Sequence, residues 1–268
     1  EGRDGRDPVT PYTLKTYERR AGIMTAYVWA KDLNDLQTPD VVAFRSWLLE
    51  HYSRDLARKT LTSFHAVIKE MALRGHIASN VAAGVAIRAD SRYDEPVVIP
   101  TLREVAALLA AADRLANSRN RQTARTWLRY RPILYLAADS GMRPQEYLVA
   151  ARSGLTDGGI HVGRALERGG YKISVTKTPA GRRFIDLSPE TFAMVRHYAD
   201  RHAVENKHDL IFPTANGRWQ DTDNWRKRGF YKACEEAGLM DEGEDETGAL
   251  VAKPRFSPYD LRHFYASM

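Results

Sequence analysis

The sequence predicts a mainly α-helical chain with a small antiparallel β-sheet, divided into two domains. Hydrophobic residues recur at spacings of three and four along most of the chain, and the period changes to two only between about residues 160 and 187. Around 89–99 the stretch RADSRYDEPVVIP breaks the pattern with charge and proline. The expected organisation is a helical domain over 1–88, a linker over 89–99 and an α+β domain over 100–268.

In TLKTYERRAGIMTAYVWAKDL, residues Leu14, Tyr17, Ala21, Met24 and Val28 form the apolar stripe of an amphipathic helix. TPDVVAFRSWLLEHY opens with Thr38 as N-cap and Pro39 at the first helical position. ARKTLTSFHAVIKEMALRGHI brings Leu61, Phe64, Ile68 and Met71 to one side, and Gly75 supplies its stop. Thr101 and Glu104 frame a capping box at the start of LREVAALLAAAD, and WLRYRPILYLAAD is the next helix. IHVGRAL, YKISVTKT and RRFIDL then read as three short antiparallel strands, the last two joined through PAG. Ser188 and Pro189 begin the helix SPETFAMVRHYADRH. The acidic run DEGEDE at 241–246 reads as a solvated loop, and EGRDGRD at the start as the frayed end of a linker.

The chain has 268 residues, of which 43% are hydrophobic, so disorder is not its default state. Forty Lys and Arg against 34 Asp and Glu give a net charge of +6. The isoelectric point of about 9.4 fits a nucleic-acid partner without demanding one. The single cysteine, Cys234, excludes an intrachain disulfide and any Cys-rich metal site, and its helical context makes it a small packing residue. No apolar run reaches a membrane span and no signal peptide opens the chain, so the expected setting is reducing and cytoplasmic. No metal site is spelled by paired His or acidic residues, and no cofactor is expected.

Two helix starts hold the candidate chemistry. In SGMRPQE, Gly141 ends one helix and Pro144 takes the first position of the next, which leaves Arg143 at a helix N-terminus that favours anions. In SPYDLRH, Ser257 and Asp260 frame a capping box around Pro258, and Tyr259, Arg262 and His263 share the first turns on one face. Arginine forks suit phosphate oxygens. Lys177 stands beside the TPAG turn, where a hairpin carries its ammonium toward a groove. Singly, Arg143 reads as a solvated or carboxylate-paired arginine, Lys177 as a surface-turn lysine and Tyr259 as a half-buried packing residue. Only their combination and order point to a site.

That order resembles the tyrosine recombinase (phage integrase) family over nearly the whole chain. DSGMRPQEYLVA looks like its first arginine box, VTKTPAGRRFIDL like its lysine-bearing hairpin, HDLIFPTANGRW like the segment after it, and SPYDLRHFYAS like its second box. The resemblance implies a helical, SAM-like core-binding domain followed by an α+β catalytic domain, the two gripping opposite sides of DNA. It implies that Arg143 and Arg262 clamp the scissile phosphate, Lys177 protonates the departing 5′ oxygen, and Glu146 supports the first box. Tyr259 stands where the family usually has histidine, which leaves the general base open, and His263 matches a supporting histidine.

The implied activity is site-specific cleavage and rejoining of double-stranded DNA through a 3′-phosphotyrosyl intermediate, by a DNA-bound homo-multimer in a tetrameric synapse. The family's nucleophilic tyrosine lies a few tens of residues beyond the second arginine, so it is expected past Met268, with this chain by itself inactive. Tyr265 falls at a packing position. The competing reading is a catalytically lapsed relative that binds DNA as an accessory or regulatory protein.

Overall fold

The computed structural model describes residues 8–88, 98–170, 172–175, 181–244 and 248–268, with the Glu244 side chain left out. The expected linker therefore lies outside the described residues except for its last two positions, and Lys177 and the initial EGRDGRD lie wholly outside them. The chain divides into two compact units, Glu1–Pro96 and Val97–Met268.

The first unit is helical. Helix α1 (Pro11–Ala26) is capped by Thr10, whose hydroxyl accepts the Thr13 N–H at 3.3 Å. Helices α2 (Thr38–His51) and α3 (Arg54–Leu73) follow. Phe44, Leu48, Leu61, Phe64 and Ile68 are buried, and Ala82, Val85 and Ile87 close the core from the segment after α3. Trp29 stacks on Phe64 with ring centroids 5.2 Å apart, and its indole N–H donates to the Met24 carbonyl. Gly75 ends α3 at φ +75°, and the His76 N–H reaches back to the Met71 carbonyl.

Two expectations for this unit are corrected. Of the stripe from Leu14 to Val28 only Met24 packs against the core: Leu14, Tyr17 and Ala21 are exposed, α1 stops before Val28, and Val28 is 87% exposed. The inward line is shifted by one residue, to Thr16, Arg20 and Ile23, a rotation of about 100°. Arg20 fixes it by donating to Ser63 Oγ on α3 at 3.1 Å. The N-cap of α2 is Gln37 rather than Thr38, because the Asp40 carboxylate accepts the Gln37 N–H at 2.8 Å and the Thr38 hydroxyl turns to the Val81 carbonyl.

In the second unit α4 (Leu102–Ala116) starts with the expected box: Glu104 N–H to the Thr101 hydroxyl, and Thr101 N–H to the Glu104 carboxylate. Helix α5 (Arg121–Ser140) begins at the Asn120 cap and runs through Pro132 to Gly141. The one-turn helix α6 (Pro144–Tyr147) is held by the buried Tyr147. Strands β1 (Leu155–Thr156), β2 (Gly159–Val162) and β5 (Arg183–Asp186) form an antiparallel sheet with β2 in the middle. Strands β3 (Arg164–Leu166) and β4 (Ile173–Val175) form a separate pair.

This differs from the expected three-stranded run. IHVGRAL divides at Gly163, and among the described residues β4 pairs with β3 while β5 pairs with β2. The Arg164 guanidinium supplies a reason, donating to the carbonyls of Val149, His208 and Asp209 at 2.6, 2.7 and 2.9 Å. These bonds hold β3 against the segment around Leu210 while Ile160 and Val162 enter the main core.

Helix α7 (Pro189–Arg201) is capped by Ser188, and a helical segment follows as α8 (Thr222–Asn224), a π turn (Trp225–Phe230) and α9 (Tyr231–Glu236). Cys234 is buried among core residues, and burial pushes its thiol up to about 12. The acidic run is not a plain loop. Its first four residues belong to β6 (Met240–Glu244), which pairs with β7 (Leu250–Pro254), although Asp241 and Glu242 are exposed as expected of charged side chains. Helix α10 (Asp260–Ser267) packs on α5. Among the described residues no helix is long and apolar enough to cross a membrane.

Candidate functional site

The site grows from the turn between α5 and α6. Gly141 adopts φ +57°, a conformation glycine takes without strain, and it ends α5. Arg143 is extended at φ −72° and ψ 150°, because Pro144 follows it at the first helical position. The Glu146 carboxylate returns to this point, accepting the Arg143 backbone N–H at 2.9 Å and its guanidinium at 3.0 Å. Thus the local sequence fixes the start of α6 and gives Arg143 its carboxylate partner.

Glu146 is only 2% exposed, so its charge needs more than one partner. Arg183 on β5 supplies the second, with Nη2 at 2.9 Å from Oε2 and Nη1 at 3.4 Å from Oε1. Burial pushes the Glu146 carboxyl up, but bonds from the Arg183 side chain and Arg143 backbone help outweigh it and hold the group below the ordinary carboxylate range. The Glu146 bond raises Arg143 above the usual arginine value, and the Tyr259 phenol adds in the same direction. Arg143 and Tyr259 therefore face one another. The Arg143 side chain stays 46% exposed.

Helix α10 brings the other residues. Only half of the expected box forms: the Asp260 carboxylate accepts the Ser257 N–H at 2.7 Å, while the Asp260 N–H goes to the Ser257 carbonyl. The helix consequently starts at Asp260, so Pro258 precedes it and Tyr259 is its cap residue. Arg262 and His263 occupy the first turn, with the His263 ring edge-on to Tyr259 at 5.2 Å between centroids. Arg262 Nη1 donates to the Gly141 carbonyl at 2.5 Å. The Tyr265 ring lies against the same glycine, where a Cβ would stand 2.4 Å from Tyr265 Cδ1.

The structure thus gathers Arg143, Glu146, Tyr259, Arg262 and His263 around one turn, beside an open cleft of about 430 Å³ lined by Gly141, Arg183, Asp186, Arg262 and Tyr265. Lys177 lies outside the described residues. Sequence reasoning missed Arg183. Its signal was the period of two in RRFIDL, which puts Arg183 on the same strand face as the buried Ile185, where a charge requires a partner. Chemically, two guanidinium groups and a phenol beside an open cleft can receive a tetrahedral oxyanion.

No family model matches the chain, and no curated protein does. Solved structures do match. A lambda integrase (75–356) dimer bound to a COC′ core site aligns over 97% of this chain and 83% of its own, with a TM-score of 0.65 and 17% identity. The Tn1549 transposon integrase with transposon right end DNA aligns over 98% of this chain and 82% of its own, with a TM-score of 0.74 and 15% identity. The chain has the tyrosine-recombinase fold. A lambda integrase tetramer bound to a Holliday junction also carries this recombinase fold, at a TM-score of 0.64 and 16% identity, over 97% of this chain and 67% of its own.

Proposed function

We propose that the protein is a site-specific DNA recombinase or integrase that cleaves and rejoins double-stranded DNA through a 3′-phosphotyrosyl intermediate. The observation that carries this reading is the convergence on one turn: Arg143 is oriented by Glu146, Arg262 is bonded to Gly141, and Tyr259 faces Arg143. This sits in the recombinase fold, whose solved examples include integrases bound to DNA. The helical unit would serve as the core-binding domain and the second unit as the catalytic domain. A homo-multimer on DNA is part of the reading, supported by the lambda integrase dimer and tetramer complexes.

In the proposed reaction a tyrosine hydroxyl attacks the scissile phosphorus while water or another side chain takes its proton, the bond to the 5′ oxygen breaks, and Lys177 protonates that oxygen. Arg143 and Arg262 stabilise the charge gathering on the non-bridging oxygens, and they do so without reorganising at the moment of reaction. A covalent intermediate conserves the bond energy for rejoining, and a general acid avoids expelling an alkoxide. Tyr259 donates a hydrogen bond to a phosphate oxygen, and His263 supports its ring. Tyr265 seats its ring on Gly141 although it is 42% exposed at the cleft, and in this reading it packs there and is not the nucleophile.

The test uses protein expressed from its whole gene and a nicked duplex carrying its recombination site, read as covalent adduct on a denaturing gel. Arg143→Ala and Arg262→Ala should each lower adduct formation by about 10²-fold or more, as loss of a transition-state donor does, with far smaller effects on duplex binding. Tyr265→Phe should leave adduct formation unchanged. Tight duplex binding without any adduct would instead establish the second reading, a lapsed DNA-binding relative, which the presence of Tyr259 in a proton-handling position favours.

A further inference from the structure

We infer that Arg183 is a positioning residue of the arginine site: from β5 it holds the Glu146 carboxylate so that Glu146 can aim the Arg143 guanidinium. The inference rests on the proposed role of Arg143 at a phosphate. A carboxylate that is 2% exposed has little room to choose its own rotamer, and both its oxygens are shared by two arginines. Arg183 contacts both oxygens, at 2.9 and 3.4 Å, while the Arg143 side chain contacts Oε1 at 3.0 Å. Arg183 Nη1 also donates to the Gly181 carbonyl at 3.2 Å, which ties its own fork to the backbone just before β5.

Charge gives the arrangement its direction. With one arginine, a buried Glu146 and Arg143 would neutralise each other and turn inward. With Arg183 present, the carboxylate is already compensated from the strand side, and the 46% exposed Arg143 side chain keeps a net positive charge toward solvent. Removing Arg183 lets burial dominate, so Glu146 takes up a proton at a higher pH and stops accepting from the Arg143 guanidinium. Among the described residues Glu146 also shares a cleft with His161 on β2 and Arg164 on β3, Arg143 faces Tyr259, and Arg262 and His263 of α10 stand at the same turn.

The experiment follows the Glu146 carboxyl itself by ¹³C NMR, its signal assigned by loss in Glu146→Gln, beside single-turnover cleavage of the nicked duplex between about pH 5 and 9. In the native protein Glu146 should titrate below the ordinary carboxylate range, so no cleavage limb arises from it in this window. In Arg183→Gln the carboxyl should titrate higher, and cleavage should fall on the acidic side through the same pH, reaching about a tenfold loss, the size seen when the partner of a site ligand is removed. Arg183→Lys should recover part of both, and a His161→Gln background should leave the limb in place. A Glu146 titration unchanged by Arg183→Gln would overturn the inference, as would a cleavage loss equal at every pH. If no protein cleaves DNA, the proposed function fails, while the Glu146 titration still decides whether Arg183 governs that carboxylate.

Discussion

At the scale of single residues, Gly141 and Tyr259 concentrate the most demanding geometry. Gly141 holds φ +57°, its carbonyl receives Arg262, and the Tyr265 ring occupies the space a Cβ would need. Gly141→Ala should therefore destabilise the protein by about 2 kcal/mol or more in denaturant unfolding, part from left-handed backbone and part from the ring. Adding Tyr265→Ala should recover the ring's share alone. Tyr259 is a different matter, because a neutral phenol is a poor proton acceptor and a neutral imidazole a good one. Tyr259→His should keep or raise the cleavage rate, and Tyr259→Phe should lower it only modestly. A loss with Phe as large as with Arg262→Ala would assign the phenol a direct part in proton transfer.

Elements position these residues through contacts distant in sequence. Helix α6 is a single turn, too short to persist alone, and it survives because Tyr147 and Leu148 are fully buried. Trp225 on the π turn donates its indole N–H to the Tyr147 hydroxyl at 3.0 Å, which ties α6 to the helical segment around α9. Tyr147→Phe would strand that buried donor and should cost roughly 1–3 kcal/mol of stability, measured by thermal or denaturant unfolding. A change within a few tenths of a kcal/mol would mean that packing alone holds α6. The β6–β7 hairpin is anchored differently, by Arg255, which reaches Asp241 at 2.8 Å and Glu104 of the α4 capping box at 3.0 Å.

For the whole molecule, the consequential fact is that each unit has its own buried core. A net charge of +6 is a modest electrostatic resource against a phosphate backbone. Two units that both contact DNA would gain affinity through linkage, since the second binds at an effective concentration set by the connecting segment. Residues 1–96 and 97–268 expressed separately should each bind duplex DNA more weakly than the whole chain in fluorescence anisotropy at equal salt. Equal affinity in either half would remove the two-handed grip. Binding should also weaken steeply as salt rises.

The sequence by itself determined the elements whose signals lie within one turn. Thr101 with Glu104, Ser188 with Pro189, Gly75 and Gly141 each mark a helix end, because caps and left-handed stops are settled by neighbours three or four residues away. The helix start at Arg143 was legible for the same reason, whereas the role of Glu146 came only from the family resemblance and the cap of the second box formed only by half. Tertiary structure decided the rest. Arg262 meets Gly141 across 121 residues and Arg183 meets Glu146 across 37, separations that leave no local signature. Strand partners depended on where Arg164 found carbonyls, and the inward face of α1 on where Arg20 found Ser63. An apolar stripe states that a helix can bury a side, but the partner surface selects which side, because burial is a property of two elements and periodicity of only one.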